Sequence, residues 1–188
     1  MRADAAARRS RIIDTACTLF RTTSPHDVTM ETVAARAQVG IATVYRNFAD
    51  RNQLILECMI ALLAQAEALQ DDIVAHLDTD VTASWRRYVW GLVELGLGPL
   101  VQALAPPSLS QLPPAVDARW KRMHGKSQRI ISAAQRAGLV TQSLTPSQFI
   151  AELIVITRPP MSGVLELDPD VTRRLVRAYF TKETSPAP

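Results

Sequence analysis

The stretch Asp27–Arg51, DVTMETVAARAQVGIATVYRNFADR, constrains the fold more than any other part of this 188-residue chain. It reads as two short helices meeting at a turn. Thr29 stands where a hydroxyl can accept from the unpaired amides of an opening helical turn. Glu31 then places a negative charge where the helix dipole favours one. Val33, Ala34 and Ala37 recur at helical spacing, so this helix has an inward face. The pattern breaks at Gln38-Val39-Gly40, and a second helix follows with Ile41, Val44, Tyr45 and Phe48 on one side. Val44 and Phe48, four apart, are expected to enter a core. Ala42, Thr43, Arg46 and Asn47 remain on the outer face, and such small, hydroxyl, cationic and amide groups suit base edges and phosphates. The arrangement predicts a helix-turn-helix.

Charge supports that reading. The chain carries a net +3, and its first 51 residues hold eight arginines against five acids. The remaining residues balance 13 basic against 13 acidic side chains, so the whole excess lies with the proposed nucleic-acid unit.

The run VTMETVAARAQVGIATVYRNFADRNQL closely resembles the DNA-binding signature of the tetracycline-repressor (TetR) family of bacterial transcriptional regulators. Thr29, Val33-Ala34, Ala37, Val39, Thr43-Val44-Tyr45, Phe48, Asp50-Arg51 and Leu54 carry the match, and it extends upstream over residues 11–20. There are departures. Gln38 occupies a position where the family usually has Gly, at a helix end that tends to need left-handed backbone, which costs a non-Gly residue ~1–2 kcal/mol. Gly40 replaces the usual Ser cap, Asn47 takes a position often held by His, and Arg51 one often held by Lys.

The resemblance implies an all-α chain: a three-helix DNA-binding domain over residues 1–51, then a helical ligand-binding and dimerisation domain over 52–188. Composition agrees, with 47% hydrophobic residues and only seven glycines. Met1–Ala7 reads as a loose arm, from which Arg8, Arg9 and Arg11 either reach the minor groove or serve as solvated helix charges. Residues 8–20 form a helix with Ile12, Ile13, Ala16, Leu19 and Phe20 inward. Residues 51–77 form a long helix whose stripe is Ile55, Met59, Leu62, Ala66, Leu69 and Ile73. Residues 81–105 form the next, which Gly98-Pro99 should kink or split. The proline-rich stretch 106–114 is a loop, and residues 115–137 are a helix ended by Gly138. Its Arg119, Lys121, Arg122, Lys126, Arg129 and Arg136 form either a nucleic-acid-like cluster or a solvated face. Thr145-Pro146 and Asp168-Pro169 each open a helix, and residues 184–188 are a tail.

Site assignments follow from the motif. Thr29, Thr43, the Tyr45 phenol, Arg51 and the helix-start amides near Gly40 are assigned to phosphate; Ile41, Ala42, Thr43 and Arg46 to base edges. Asn47 shares the face. Tyr45 is otherwise a core aromatic, and Arg46 otherwise a surface charge. A single unit reads too little sequence, so a homodimer on a near-palindromic operator is expected. Leu153, Ile154, Leu175 and Tyr179 resemble the family's dimer-bundle residues, or else fill an intramolecular core. The resemblance also implies a pocket for a small-molecule effector, with Trp85, Tyr88, Trp90, Trp120 and Met123 as lining or as ordinary core.

Other functions fit less well. His26, His76 and His124 are scattered singles, and Cys17 and Cys58 lack metal-ligand spacing, so no metal, cofactor or catalytic cluster is expected. The two thiols read as buried and reduced, or as a redox switch. No signal peptide or membrane-length apolar run is evident, so a cytoplasmic location is expected. An effector-independent DNA binder or activator is the nearest alternative, and a small helical enzyme a more distant one.

Overall fold

The computed structural model describes residues 2–23, 25–104, 114–160 and 162–181. Those residues are helical with no strand among them. They divide into two compact units.

The first unit draws on Met1–Leu62 and Leu100–Pro113. It opens with α1 (Arg2–Thr22), a single 3-10 turn (Pro25–Asp27), α2 (Met30–Arg36) and α3 (Ile41–Asn47), then takes the first half of α4 (Arg51–His76). Its core is Ile12, Ala16, Phe20, Val33, Val44, Phe48, Leu54 and Cys58, all nearly removed from solvent. The loose arm is corrected: the chain is helical from Arg2. Three successive alanines, the residue of highest helix propensity, and an acidic Asp4 in the first turn explain why.

The second unit draws on Leu63–Pro99 and Pro114–Pro188. It holds the rest of α4, α5 (Val81–Glu94), the start of α6 (Leu97–Leu104), α7 (Pro114–Arg136), α8 (Pro146–Thr157), α9 (Ser162–Leu167) and α10 (Val171–Phe180). Apart from Pro114, the stretch expected as a loop lies outside the described residues, as does the tail after residue 183. Thr145 and Gln148 form the capping box that starts α8, side chain to backbone in both directions. Asp168 accepts from the Asp170 amide at 3.0 Å ahead of α10.

Two boundaries differ from the sequence reading. The break after α5 falls at Gly96, with φ +72, and not at Gly98-Pro99. Gly96 takes the left-handed backbone that ends a helix, while Pro99 sits in the first turn of α6, where no amide is required. The short α9 was not anticipated, because six residues leave too little periodicity to read.

By length and composition α4 could cross a membrane, contrary to the expectation that no run qualifies. Its acids are nevertheless engaged. Glu57 pairs with Arg9, Asp71 with Lys126 and Asp72 with Arg87, while Glu67 meets three cations. A surface so charged suits water and protein partners, not hydrocarbon. Its buried line also differs from the predicted stripe: Leu54, Cys58, Leu62, Ala66, Gln70, Ile73 and Leu77 face in.

Two glycines allow close helix packing in the second unit. A Cβ on Gly91 would lie 2.6 Å from the Leu69 Cδ2, a movable side-chain end. One on Gly98 would lie 2.6 Å from the Thr157 carbonyl oxygen, which is backbone and cannot swing away. Gly98→Ala is therefore expected to destabilise the protein by roughly 1–3 kcal/mol, and Gly91→Ala by clearly less, in chemical denaturation. Equal losses would contradict this packing.

Candidate nucleic-acid interface

The interface is built on two seven-residue helices and the turn between them. Thr29 caps α2: its hydroxyl accepts from the Thr32 amide at 3.2 Å, and the Thr32 hydroxyl accepts from the Thr29 amide at 2.8 Å. Thr32 thus fills the reciprocal role usually taken by Glu or Gln. At the other end, the Gln38 amide donates to Ala35 O and the Val39 amide to Ala34 O. That paired closure places Gln38 at φ +55, the left-handed conformation expected at this position. The same closure ends α7, where Gly138 holds φ +71 without strain. Gly40 then begins α3 in extended backbone with no side chain to cap it, and an added Cβ would meet nothing within 4 Å.

Along α3 one side is buried and the other open. Val44 and Phe48 are fully buried, as expected from their spacing. Ile41 and Tyr45 are not on that side. They are 39% and 48% exposed, which places them with Ala42 and Arg46 on the outer face and removes the reading of Tyr45 as a core aromatic. Arg46 donates from Nη2 to the Thr43 hydroxyl at 2.8 Å, so the two residues act as a pair. Asn47 is half-buried and donates to the Thr43 carbonyl at 2.8 Å, closing the end of the helix.

The arginines of this unit take different places. Arg9 pairs with Glu57 at 2.6 Å and lies over the Phe48 ring at 5.0 Å, so it braces α3 from behind. Arg51 donates from Nε to Val28 O at 3.0 Å and lies over the Phe20 ring at 5.6 Å, tying the start of α4 to the segment before α2. Arg8 and Arg11 are exposed on α1. The Asp50 carboxylate accepts from the Gln53 amide at 2.8 Å, and the Gln53 side chain accepts from the Ala49 amide at 2.6 Å, fixing the turn into α4. Behind these, Cys17 and Cys58 are buried and unbridged. A hydrogen bond to Cys17 and then burial push the Cys58 thiol far above its ordinary pKa, which keeps it protonated at neutral pH.

Residues 12–58 match the model of a family described as bacterial regulatory proteins, tetR family. Residues 12–58 thus carry the DNA-binding region of tetR-family regulatory proteins. Its fold is that of solved tetR-family structures. LfrR from Mycobacterium smegmatis, solved with proflavine, superimposes with a TM-score of 0.65 at 19% identity, covering 93% of this chain and 94% of that one. The fatty acid degradation regulator FadR from Bacillus halodurans gives 0.61 at 15% identity, covering 95% and 96%. A TetR regulatory protein from Mycobacterium vanbaalenii gives 0.54 at 23% identity, covering 95% and 98%. No curated protein matches the chain.

In the second unit, the nominated pocket residues part company. Trp85 and Tyr88 are fully buried in a ring cluster with Phe149 and Phe180, and the Trp85 indole N–H donates to Phe180 O at 2.6 Å. Met123 is buried, while Trp90 and Trp120 are half-buried and join no ring cluster among the described residues. Sequence reasoning missed the partners of Tyr88. Its hydroxyl lies 2.9 Å from the Ser127 hydroxyl, and Gln70 Nε2 donates to both, at 3.0 and 2.8 Å. The Gln70 Oε1 is buried with no partner. Burial raises the Tyr88 pKa, so the phenol is neutral and can donate. The signal was present: Gln70 continues the four-residue series Leu54, Cys58, Leu62, Ala66.

Of the six cations on α7, Arg119, Lys121, Arg122 and Lys126 enter ion pairs, while Arg129 and Arg136 are exposed. Arg119, Arg122 and Lys126 converge on Glu67 at 3.3–3.5 Å, and Lys121 pairs with Asp117 at 2.8 Å. Burial raises the Glu67 pKa, but Arg122 and Lys126 outweigh it and hold the carboxyl below its ordinary value. Among the dimer candidates, Leu153 is fully buried in its own chain and Ile154 half-buried, whereas Leu175 and Tyr179 are 46% and 59% exposed. Among the described residues, no group of three or more His, Cys, Asp and Glu is placed to hold a metal.

Gln38 supplies a direct test of the turn. Gln38→Gly removes the left-handed penalty of ~1–2 kcal/mol and adds back part of it as unfolded-state entropy, for a net gain of roughly 0.5–1 kcal/mol. Denaturant titration would measure it, and a loss of stability would show that the Gln side chain, not the backbone, holds the turn.

Proposed function

We propose that this protein is a cytoplasmic, homodimeric transcriptional repressor whose α3 lies in the DNA major groove and which a small-molecule effector releases from its operator. The observation that carries the reading is the division of α3. A helix with Val44 and Phe48 buried beneath it leaves Ile41, Ala42, Tyr45 and Arg46 exposed together. Exposed apolar and aromatic side chains beside an arginine fit a groove of thymine methyls, base edges and phosphates.

Roles divide accordingly. Arg46 pairs bidentately with guanine, oriented by its bond to Thr43, and Ile41 or Ala42 meets a thymine methyl. Tyr45 through its phenol, Thr43 and Thr29 contact phosphate. The open space over Gly40 lets DNA backbone approach the start of α3. Asn47 and Arg51 position these groups through the backbone carbonyls they hold. Residues 1–51 would act as the reading domain and 52–188 as the effector and dimer domain.

Self-association is supported by the exposed Val155, Leu175 and Tyr179 on α8 and α10, apolar side chains left without cover in one chain. Effector control is supported by the similar LfrR, which was solved with proflavine. Here the buried Gln70–Tyr88–Ser127 cluster offers one polar point among apolar residues including Trp85 and Met123, the usual character of a small-molecule site. An effector would act by its differential affinity for the conformation that does not bind DNA.

The test is binding to fragments selected from the host's genomic DNA, across a salt series. Selected fragments should share a near-palindrome, and wild-type affinity should fall steeply with salt. Arg46→Ala should cost ~1–3 kcal/mol on selected fragments and much less on bulk DNA. No fragment preference by wild type, or an equal loss on all DNA, would refute the proposal.

A further inference from the structure

Cys17 on α1 and Cys58 on α4 are the two cysteines of the chain, and the first unit buries them against each other. The Cys17 thiol donates to the Cys58 carbonyl at 4.0 Å, and the Cys58 thiol donates to the Ile13 carbonyl at 3.9 Å. Ile13 lies one helical turn before Cys17, so each thiol crosses the seam between α1 and α4 at the level of the other. The two sulfur atoms also hydrogen-bond directly. Core packing accounts for their burial but uses the chemistry of neither thiol.

The pair is chemically unequal. The hydrogen bond from Cys58 holds the Cys17 thiol below its ordinary pKa, against the opposing effect of burial, and the Arg21 guanidinium adds to the lowering. Arg21 is kept close by its Nε, which donates to the Cys17 carbonyl at 3.4 Å. Cys58 is pushed the other way and keeps its proton. A nucleophilic sulfur beside a protonated one is the pairing in which a newly formed sulfenic acid meets a resolving thiol at once. Cys17 is 4% exposed and Cys58 0%, so local opening admits only an oxidant close to water in size.

We propose that Cys17 and Cys58 form an oxidation site that takes hydrogen peroxide and closes to a disulfide joining α1 to α4. The Cys17 thiolate attacks one peroxide oxygen and the O–O bond breaks. The departing hydroxide takes up the proton that Cys17 gave up and leaves as water. Cys17 is then a sulfenic acid. The Cys58 sulfur attacks the Cys17 sulfur, the S–O bond breaks, and the Cys58 proton leaves with the hydroxyl as a second water. The thiol pair loses two electrons and peroxide gains them.

Closure brings the sulfurs from hydrogen-bonded contact to a bond of ~2 Å, so α4 must move against α1. Glu57 precedes Cys58 and holds Arg9, which lies over the Phe48 ring beneath α3. The movement therefore reaches the support of α3, and oxidation weakens DNA binding. That last step rests on the reading of α3 as the helix that meets DNA.

Mass spectrometry of reduced full-length protein, exposed to hydrogen peroxide and quenched in acid, tests the site. Wild type should lose two hydrogen atoms per chain, give a linked Cys17–Cys58 peptide on digestion, and regain both thiols with dithiothreitol. Cys58→Ser should stop at a sulfenic acid on Cys17 that dimedone labels, and Cys17→Ser should keep Cys58 as a free thiol. Oxidised wild type should bind selected DNA fragments at least tenfold more weakly than reduced protein and recover on reduction, whereas Cys17→Ser should not respond to peroxide. Thiols that stay free in wild type, linkage only between copies, or overoxidation of Cys17 with Cys58 left free would overturn the site. These outcomes are read on wild type and need no variant to fold. An internal disulfide with undiminished DNA affinity would overturn its effect on α3. If reduced wild type preferred no fragment, the DNA reading alone would fail, and the masses would still decide the thiol pair.

Discussion

The first unit depends on the burial of Val44 and Phe48 beneath α3. A seven-residue helix has almost no stability of its own in water, because nucleation consumes most of what its few hydrogen bonds return. What holds α3 is therefore tertiary: two fully buried side chains one turn apart, with Arg9 stacked over the phenyl ring and anchored to Glu57. Each further device serves that placement. The Thr29–Thr32 box starts α2, the left-handed Gln38 turns the chain, and Arg51 fastens α4 to the Val28 carbonyl. The outer face of α3 is rigid because its inner face is committed.

Legibility from sequence was weakest where apolar pairs interleave on a short helix. Short helices here carry two interleaved apolar pairs, offset by three residues in the first case and by one in the second. In α3 they are Ile41/Tyr45 and Val44/Phe48; in α10 they are Leu175/Tyr179 and Val176/Phe180. Periodicity alone separates poorly pairs only ~60–100° apart on the helix. The structure buries Val44/Phe48 and Val176/Phe180 and leaves the other pair of each helix open. The ambiguity is informative, because an apolar pair left outside needs another use. By contrast, the caps at Thr29 and Thr145, the end at Gly138 and the inward stripe of α1 were readable, since each follows from chemistry local to a few residues. The split at Gly96 was not, because backbone sign is not encoded in local spacing, and the four-residue series that places Gln70 inward does not name its partners Tyr88 and Ser127.

The second unit shows how polar groups are handled inside a helical body. Glu67 gathers three cations, so its burial is compensated. Tyr88, Ser127 and Gln70 satisfy one another, leaving a single amide oxygen unmatched. Aromatic packing links these elements: Trp85 lies tilted against Phe149 and holds the end of α10 through its indole N–H.

The central claim is that the open face of α3 meets DNA. A photoreactive benzophenone side chain at Tyr45 tests it most directly, with the same group at the exposed Ala151 of α8 as a control. Irradiation with genomically selected fragments should join protein to DNA from position 45 and not from position 151. Crosslinks from both positions alike, or none from position 45 on DNA that the protein demonstrably binds, would contradict it.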